Sequence, residues 1–168
     1  MNILRILLLF AATVSPASAA SDARTFGAWS VNCTGHTEDS KKLCAASQSI
    51  ATDPEGRKVV LGVIVERIVD GQIRPRITFR MSSKAFVAAG VGIKVDGEPP
   101  ARLPISSCDN AVCEARGWLN EAMTRQLHNG RLLRFAYFVD AEKQITFPVS
   151  LNGLGDAMDY MAGNSSQR

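Results

Sequence analysis

Gln72-Ile73-Arg74-Pro75-Arg76-Ile77-Thr78-Phe79-Arg80-Met81 alternates along its whole length. Ile73, Pro75, Ile77, Phe79 and Met81 fall on one side, and Arg74, Arg76, Thr78 and Arg80 on the other. A period of two belongs to a β-strand, whose successive side chains point to opposite faces. One apolar and one charged face predict a strand that covers a core and meets water on its far side. Arg74, Arg76 and Arg80 then share the outer face, where successive positions lie about 6.5–7 Å apart. Such a row can bind carboxylates, sulfates or phosphates on a partner. It can equally be a solvated face paired with acidic residues of a neighbouring strand, such as Glu66 or Asp70.

The same period recurs on both sides of this stretch. Phe26–Cys33 puts Trp29, Val31 and Cys33 on one face, and Val59–Val65 is apolar on both faces, as in a central strand covered from two sides. Further strands are expected at Gly92–Val95, Arg102–Ile105, Cys113–Leu119, Leu132–Val139 and Gln144–Leu151. Turn signals separate them at Pro54-Glu55-Gly56, Asp70-Gly71, Asp96-Gly97, Asn129-Gly130 and Asp140–Lys143. Asn120 is placed to cap a helix over Glu121–His128, and Asp156–Ala162 is a second short helix. Pro75, Pro104 and Pro148 require an edge, a bulge or a strand start, because proline cannot donate to a ladder. Many short strands with one or two short helices predict an all-β, antiparallel β-sandwich.

Met1–Ala20 carries one basic residue, Arg5, then the uncharged Ile6–Val14, Pro16 and Ala17-Ser18-Ala19. These are the parts of a secretory signal peptide, and the apolar run is too short to span a bilayer. The chain thus divides into a leader (1–20), one domain (21–162) and a polar tail (163–168), with no transmembrane segment expected. Of 168 residues, 46% are hydrophobic and 21% charged, which excludes intrinsic disorder. The net charge of +3 falls to +2 once the leader takes Arg5 away, so charge alone does not point to nucleic acid.

Export also changes how Cys33, Cys44, Cys108 and Cys113 read. Four cysteines in an oxidising compartment suggest disulfides, with three connectivities open. Local pairing, Cys33 with Cys44 and Cys108 with Cys113, is expected because each pair spans turn residues. The first bridge would contribute about 2–3 kcal/mol, mainly by restricting the unfolded chain. Cys33-Thr34-Gly35-His36 could alternatively begin a metal site, but structural zinc usually takes two close-spaced pairs. No metal and no cofactor are expected.

Nothing in the chain assembles a reaction centre at the level of sequence. His36 lies in a polar loop, and His128 sits at the expected end of a helix, where a cation suits the dipole. No G-x-S-x-G elbow, H-E-x-x-H, P-loop or EF-hand pattern occurs. Gly90-Val91-Gly92 opens like a dinucleotide fingerprint, but no third glycine follows. A thiol-redox role would need Cys108 or Cys113 as a free, exchangeable thiol.

Four stretches, in order, resemble the invasion-associated locus B family of bacterial exported proteins. Phe26–Cys33 is similar to F-G-x-W-x-V-x-C, and Ala89–Gly97 to G-V-x-(I/L)-x-(I/V)-D-G. Cys108–Ala115 is similar to C-x(4)-C-x-A, and Pro148–Ala157 to P-V-S-L-x-G-(F/L)-x-x-A. Leu154 departs from a common aromatic, and Met81-Ser82-Ser83-Lys84 from a frequent proline-containing turn. The resemblance implies an immunoglobulin-like sandwich, located in the periplasm or at the outer surface of a Gram-negative bacterium. It also implies a non-enzymatic role, associated in pathogens with entry into host cells, though members also occur in free-living bacteria. It brings no catalytic residues. The expected function is therefore a non-catalytic binding module of the envelope, whose partner is an envelope or host protein or an anionic surface, not nucleic acid. The rivals are an envelope hydrolase or thiol-redox enzyme, and a purely structural envelope component.

Overall fold

The computed structural model describes residues 22–34, 43–53, 55–56, 58–70 and 72–165. The leader, His36, Pro54, Gly71 and the last three residues lie outside them. The elements in order are β1 (Asp22–Phe26), β2 (Trp29–Thr34), β3 (Leu43–Ala51), β4 (Val59–Asp70) and β5 (Gln72–Ser82). A 3-10 turn at Val87–Ala89 leads to β6 (Val91–Val95), β7 (Ala101–Leu103), β8 (Ile105–Cys108) and β9 (Val112–Trp118). Then come α1 (Glu121–Asn129), β10 (Leu132–Phe138), β11 (Gln144–Ser150) and α2 (Leu154–Ser165).

Two antiparallel sheets result. The larger has seven strands in the order β1-β2-β3-β4-β5-β9-β8, and the smaller has four, β11-β10-β6-β7. Five consecutive strands run as a meander in the large sheet, whereas an immunoglobulin sandwich divides consecutive strands between its sheets. The alternation of β5 is realised as read: Ile77, Phe79 and Met81 are buried on the inner face. Phe79 stacks on Phe135 of β10 with ring centroids 4.6 Å apart, which joins the two sheets at the core. Trp29 is fully buried, and its indole Nε1 donates to the Ser150 carbonyl at 2.9 Å, tying β2 to the end of β11. Leu127 of α1 and Leu154, Ala157 and Met161 of α2 complete the buried cluster.

Several expectations change. The stretch Phe26–Cys33 is two strands, not one: Gly27 takes φ +54° and turns the chain, so Phe26 pairs with Trp29 across a hairpin. The stretch Arg102–Ile105 is also divided. Pro104 separates β7 from β8, and the two join different sheets. β3 was not anticipated, because Ala45-Ala46-Ser47-Gln48-Ser49 is poor in the β-branched and aromatic residues that mark strands. β4 is indeed central, but only Leu61, Val63 and Val65 are buried, while Val60, Gly62 and Ile64 are half-buried on its outer face. α2 continues to Ser165, three residues into the stretch read as a tail.

The prolines sit where a missing donor does little harm. Pro148 is on the edge strand β11, and Pro104 lies between strands. The Pro75 carbonyl accepts from Leu119 N at 2.9 Å, just beyond the β9 ladder, which begins at Arg76. Since N–H and C=O of one strand residue share a side, the missing N–H also points away from β4. The cap on α1 is as expected: Asn120 Oδ1 accepts from Met123 N at 2.8 Å. Gly130 ends α1 for a different reason from the left-handed turn usual there. Its φ is −75°, but an added Cβ would lie 2.5 Å from Gln126 O and 2.6 Å from Val95 Cγ1.

Both disulfides are the local ones, Cys33–Cys44 and Cys108–Cys113. Each joins residues directly opposite in a ladder, β2 to β3 and β8 to β9.

Candidate functional site

The outer face of the large sheet is built by three adjacent strands. Pairing sets Gly62, Arg80 and Glu114 in one row, Ile64, Thr78 and Arg116 in the next, and Glu66, Arg76 and Trp118 in the third. Arg74 follows on β5, opposite Ile68 and beyond the end of β9. The three arginines foreseen from the sequence are therefore on one face, but they do not stand alone.

Arg76 directs Nε and Nη2 at Glu66 Oε2, at 3.0 and 2.7 Å. Arg80 Nε lies 3.0 Å from Glu114 Oε1, while the other oxygen of Glu114 accepts from Arg116. Glu66 was foreseen as a partner; Glu114 was not. Such half-exposed pairs contribute only about 0.2–1 kcal/mol each, so their main effect is to hold the guanidinium planes in place. Arg74 has no carboxylate partner among the described residues. Its guanidinium lies 4.7 Å from the centroid of the Trp118 ring, with Arg76 at 5.8 Å from the same ring. Trp118, the last residue of β9, is 48% exposed and has a strand beside it only on the β5 side. Among the side chains described in these rows, the guanidinium groups of Arg74, Arg76, Arg80 and Arg116 stand with the carboxylates of Glu66 and Glu114; the side chain of Asp70, the other acidic candidate, lies outside the described ones.

Thr78 occupies the centre. It is 4% exposed, and its Oγ1 is buried without a hydrogen-bond partner among the described residues. An orphaned buried hydroxyl costs about 1–3 kcal/mol. Thr78→Val keeps the shape and the β-branching, so urea unfolding should show the variant more stable by about 1 kcal/mol. A loss of stability would mean that the hydroxyl has a partner in solution.

Other residues considered for chemistry lie elsewhere. Cys33 is tied to Cys44, so it offers no thiolate to a metal, and His36 lies outside the described residues. No group of three or more metal-ligating side chains occurs among the described residues. His128 closes α1, with Nδ1 2.9 Å from Asn129 Oδ1 and Nε2 3.1 Å from Asp159 of α2. The hydrogen bonds to Asn129 and Asp159 hold its imidazole above the usual range.

A model of the invasion associated locus B (IalB) protein family matches residues 29–162. The chain belongs to the IalB family. The crystal structure of invasion associated protein B from Bartonella henselae is similar to it, with a TM-score of 0.75 and 23% identity over 88% of this chain and 100% of that one. At that identity the likeness speaks for the IalB fold. No curated protein matches the chain. Within this IalB protein, Trp118, Glu114 and Arg116 are the site residues that sequence reading missed. Their signal was present as a second alternation along β9, with Glu114, Arg116 and Trp118 on one face, but nothing local showed that β9 lies beside β5.

Proposed function

We propose that this IalB protein is an exported, non-catalytic interaction module of the cell envelope. Its outer sheet face docks an anionic surface. The observation that carries the reading is Trp118, half-exposed and flanked by Arg74, which has no carboxylate partner among the described residues. A guanidinium without a carboxylate can take a bidentate anion, and an exposed indole supplies apolar area beside it. The leader and two disulfides support an oxidising, exported location.

The test is binding of the mature protein to vesicles of zwitterionic lipid with and without anionic lipid, across a salt series. Binding should require the anionic lipid and weaken as salt shortens the screening length from about 10 Å at 0.1 M to about 3 Å at 1 M. The double variant Arg74→Gln/Trp118→Ala, checked for native circular dichroism, should bind at least about tenfold more weakly. Unchanged binding by the variant would overturn the assignment of the face. Alkylation of Cys108 or Cys113 in the native protein would instead favour the thiol-redox reading.

A further inference from the structure

The two disulfides stand in different surroundings. Cys33–Cys44 joins β2 to β3, and both of its residues are buried in the core cluster. Cys108–Cys113 joins β9 to β8, the last strand of the large sheet. Its two halves are unequal. Cys113 is fully buried and pairs with Met81 of β5 on its other side. Cys108 ends the edge strand and lies in a run, residues 106–110, that is exposed throughout.

Thiol–disulfide exchange begins when a thiolate reaches one sulfur of the bond, so access decides which bridge reacts and at which end. No cysteine is free, so the attacking thiol must come from outside the chain. The hairpin around the exposed bridge has ties besides the bridge. Asp109 Oδ1 accepts from Ala111 N at 2.7 Å and from Val112 N at 2.8 Å, and Asp109 N donates to Val112 O at 2.9 Å. On the other side of the bridge, Ser106 Oγ donates to the Glu114 carbonyl at 3.0 Å.

We infer that Cys108–Cys113 is a reversible exchange site for a low-molecular-weight thiol, with Cys108 as the sulfur attacked. The external thiolate bonds to Cys108 Sγ as the bond to Cys113 breaks. The electron pair leaves on Cys113 Sγ, which takes a proton from water. In the reverse step the Cys113 thiolate attacks Cys108 Sγ and expels the external thiolate. Alternatively, a second external thiolate attacks the external sulfur. Cys108 then leaves as a thiolate, the protein is reduced to a dithiol, and the two external thiols are oxidised to their disulfide. The Asp109 turn and the Ser106 bond keep the two sulfurs opposite each other in either course, so the hairpin persists and the bridge can close again. The site is independent of the outer face.

The test is incubation of the oxidised mature protein with reduced glutathione, followed by acid quenching, alkylation and peptide mass spectrometry. Glutathione should appear on Cys108 and the alkyl label on Cys113, at least about tenfold faster than Cys33–Cys44 opens. In Cys113→Ala, the remaining Cys108 should take glutathione from its disulfide at least about tenfold faster than the remaining Cys113 of Cys108→Ala does. The Arg74→Gln/Trp118→Ala variant should exchange at the parent rate. Glutathione found first on Cys113, opening of Cys33–Cys44 at a similar rate, or no exchange until urea unfolds the protein would each overturn the site.

Discussion

Phe79→Ala should lower the free energy of unfolding by about 3–5 kcal/mol, read as a fall in the urea midpoint at constant m-value. Phe79 is fully buried on the inner face of β5 and stacks on Phe135 of β10, so its ring packs the large sheet against the small one. Truncation removes the transfer free energy of the ring, leaves a cavity, and ends an aromatic contact worth about 0.5–1.5 kcal/mol beyond its area. A domain of this size is stable by about 5–15 kcal/mol in total, so the variant stands near the edge of folding. Phe86→Ala is the control. Phe86 is 43% exposed, and its loss should stay within about 0.5 kcal/mol. A cost below about 1.5 kcal/mol for Phe79→Ala would mean that the sheets are not joined through this contact.

Gly153→Ala should cost about 4 kcal/mol, combining a left-handed backbone with a hard overlap. Gly153 has φ +85°, and an added Cβ would lie 2.1 Å from the Phe26 carbonyl oxygen and 2.7 Å from Gly27 N. Gly27 mirrors it: its φ is +54°, and its Cβ would meet Asn152 O at 2.5 Å. The two turns lie back to back, joined by Ala28 N donating to Asn152 O at 3.0 Å. Neither backbone can retreat without opening the seam between the β1–β2 hairpin and the start of α2. Gly56→Ala separates the two causes. Gly56 also has positive φ, +69°, but nothing lies within 4 Å of its Cβ position. Its replacement should cost only the conformational part, about 1–2 kcal/mol. Similar thermal shifts for the two variants would contradict the close approach at Gly153.

Much of this protein is legible locally. The faces of β5, the Asn120 cap, the hairpin at Asp140–Lys143 and the two short disulfides all follow from neighbours in sequence. In the hairpin, Asp140 Oδ1 accepts from Glu142 N and Lys143 N at 2.9 and 2.7 Å, which is the local chemistry its position suggested. The candidate face was legible only in part. Arg74, Arg76 and Arg80 could be placed together because they belong to one strand.

Their surroundings could not. Period-two alternation determines which face a side chain takes, but not which strand lies beside it. Ladder hydrogen bonds join backbone groups that are the same in every residue, so the choice of partner is made by burial across the whole sheet. The sequence by itself therefore determined two-faced strands, an arginine row and local cross-links. Only the tertiary structure decided that β9 pairs with β5, which brings Glu114 and Trp118 to the arginines.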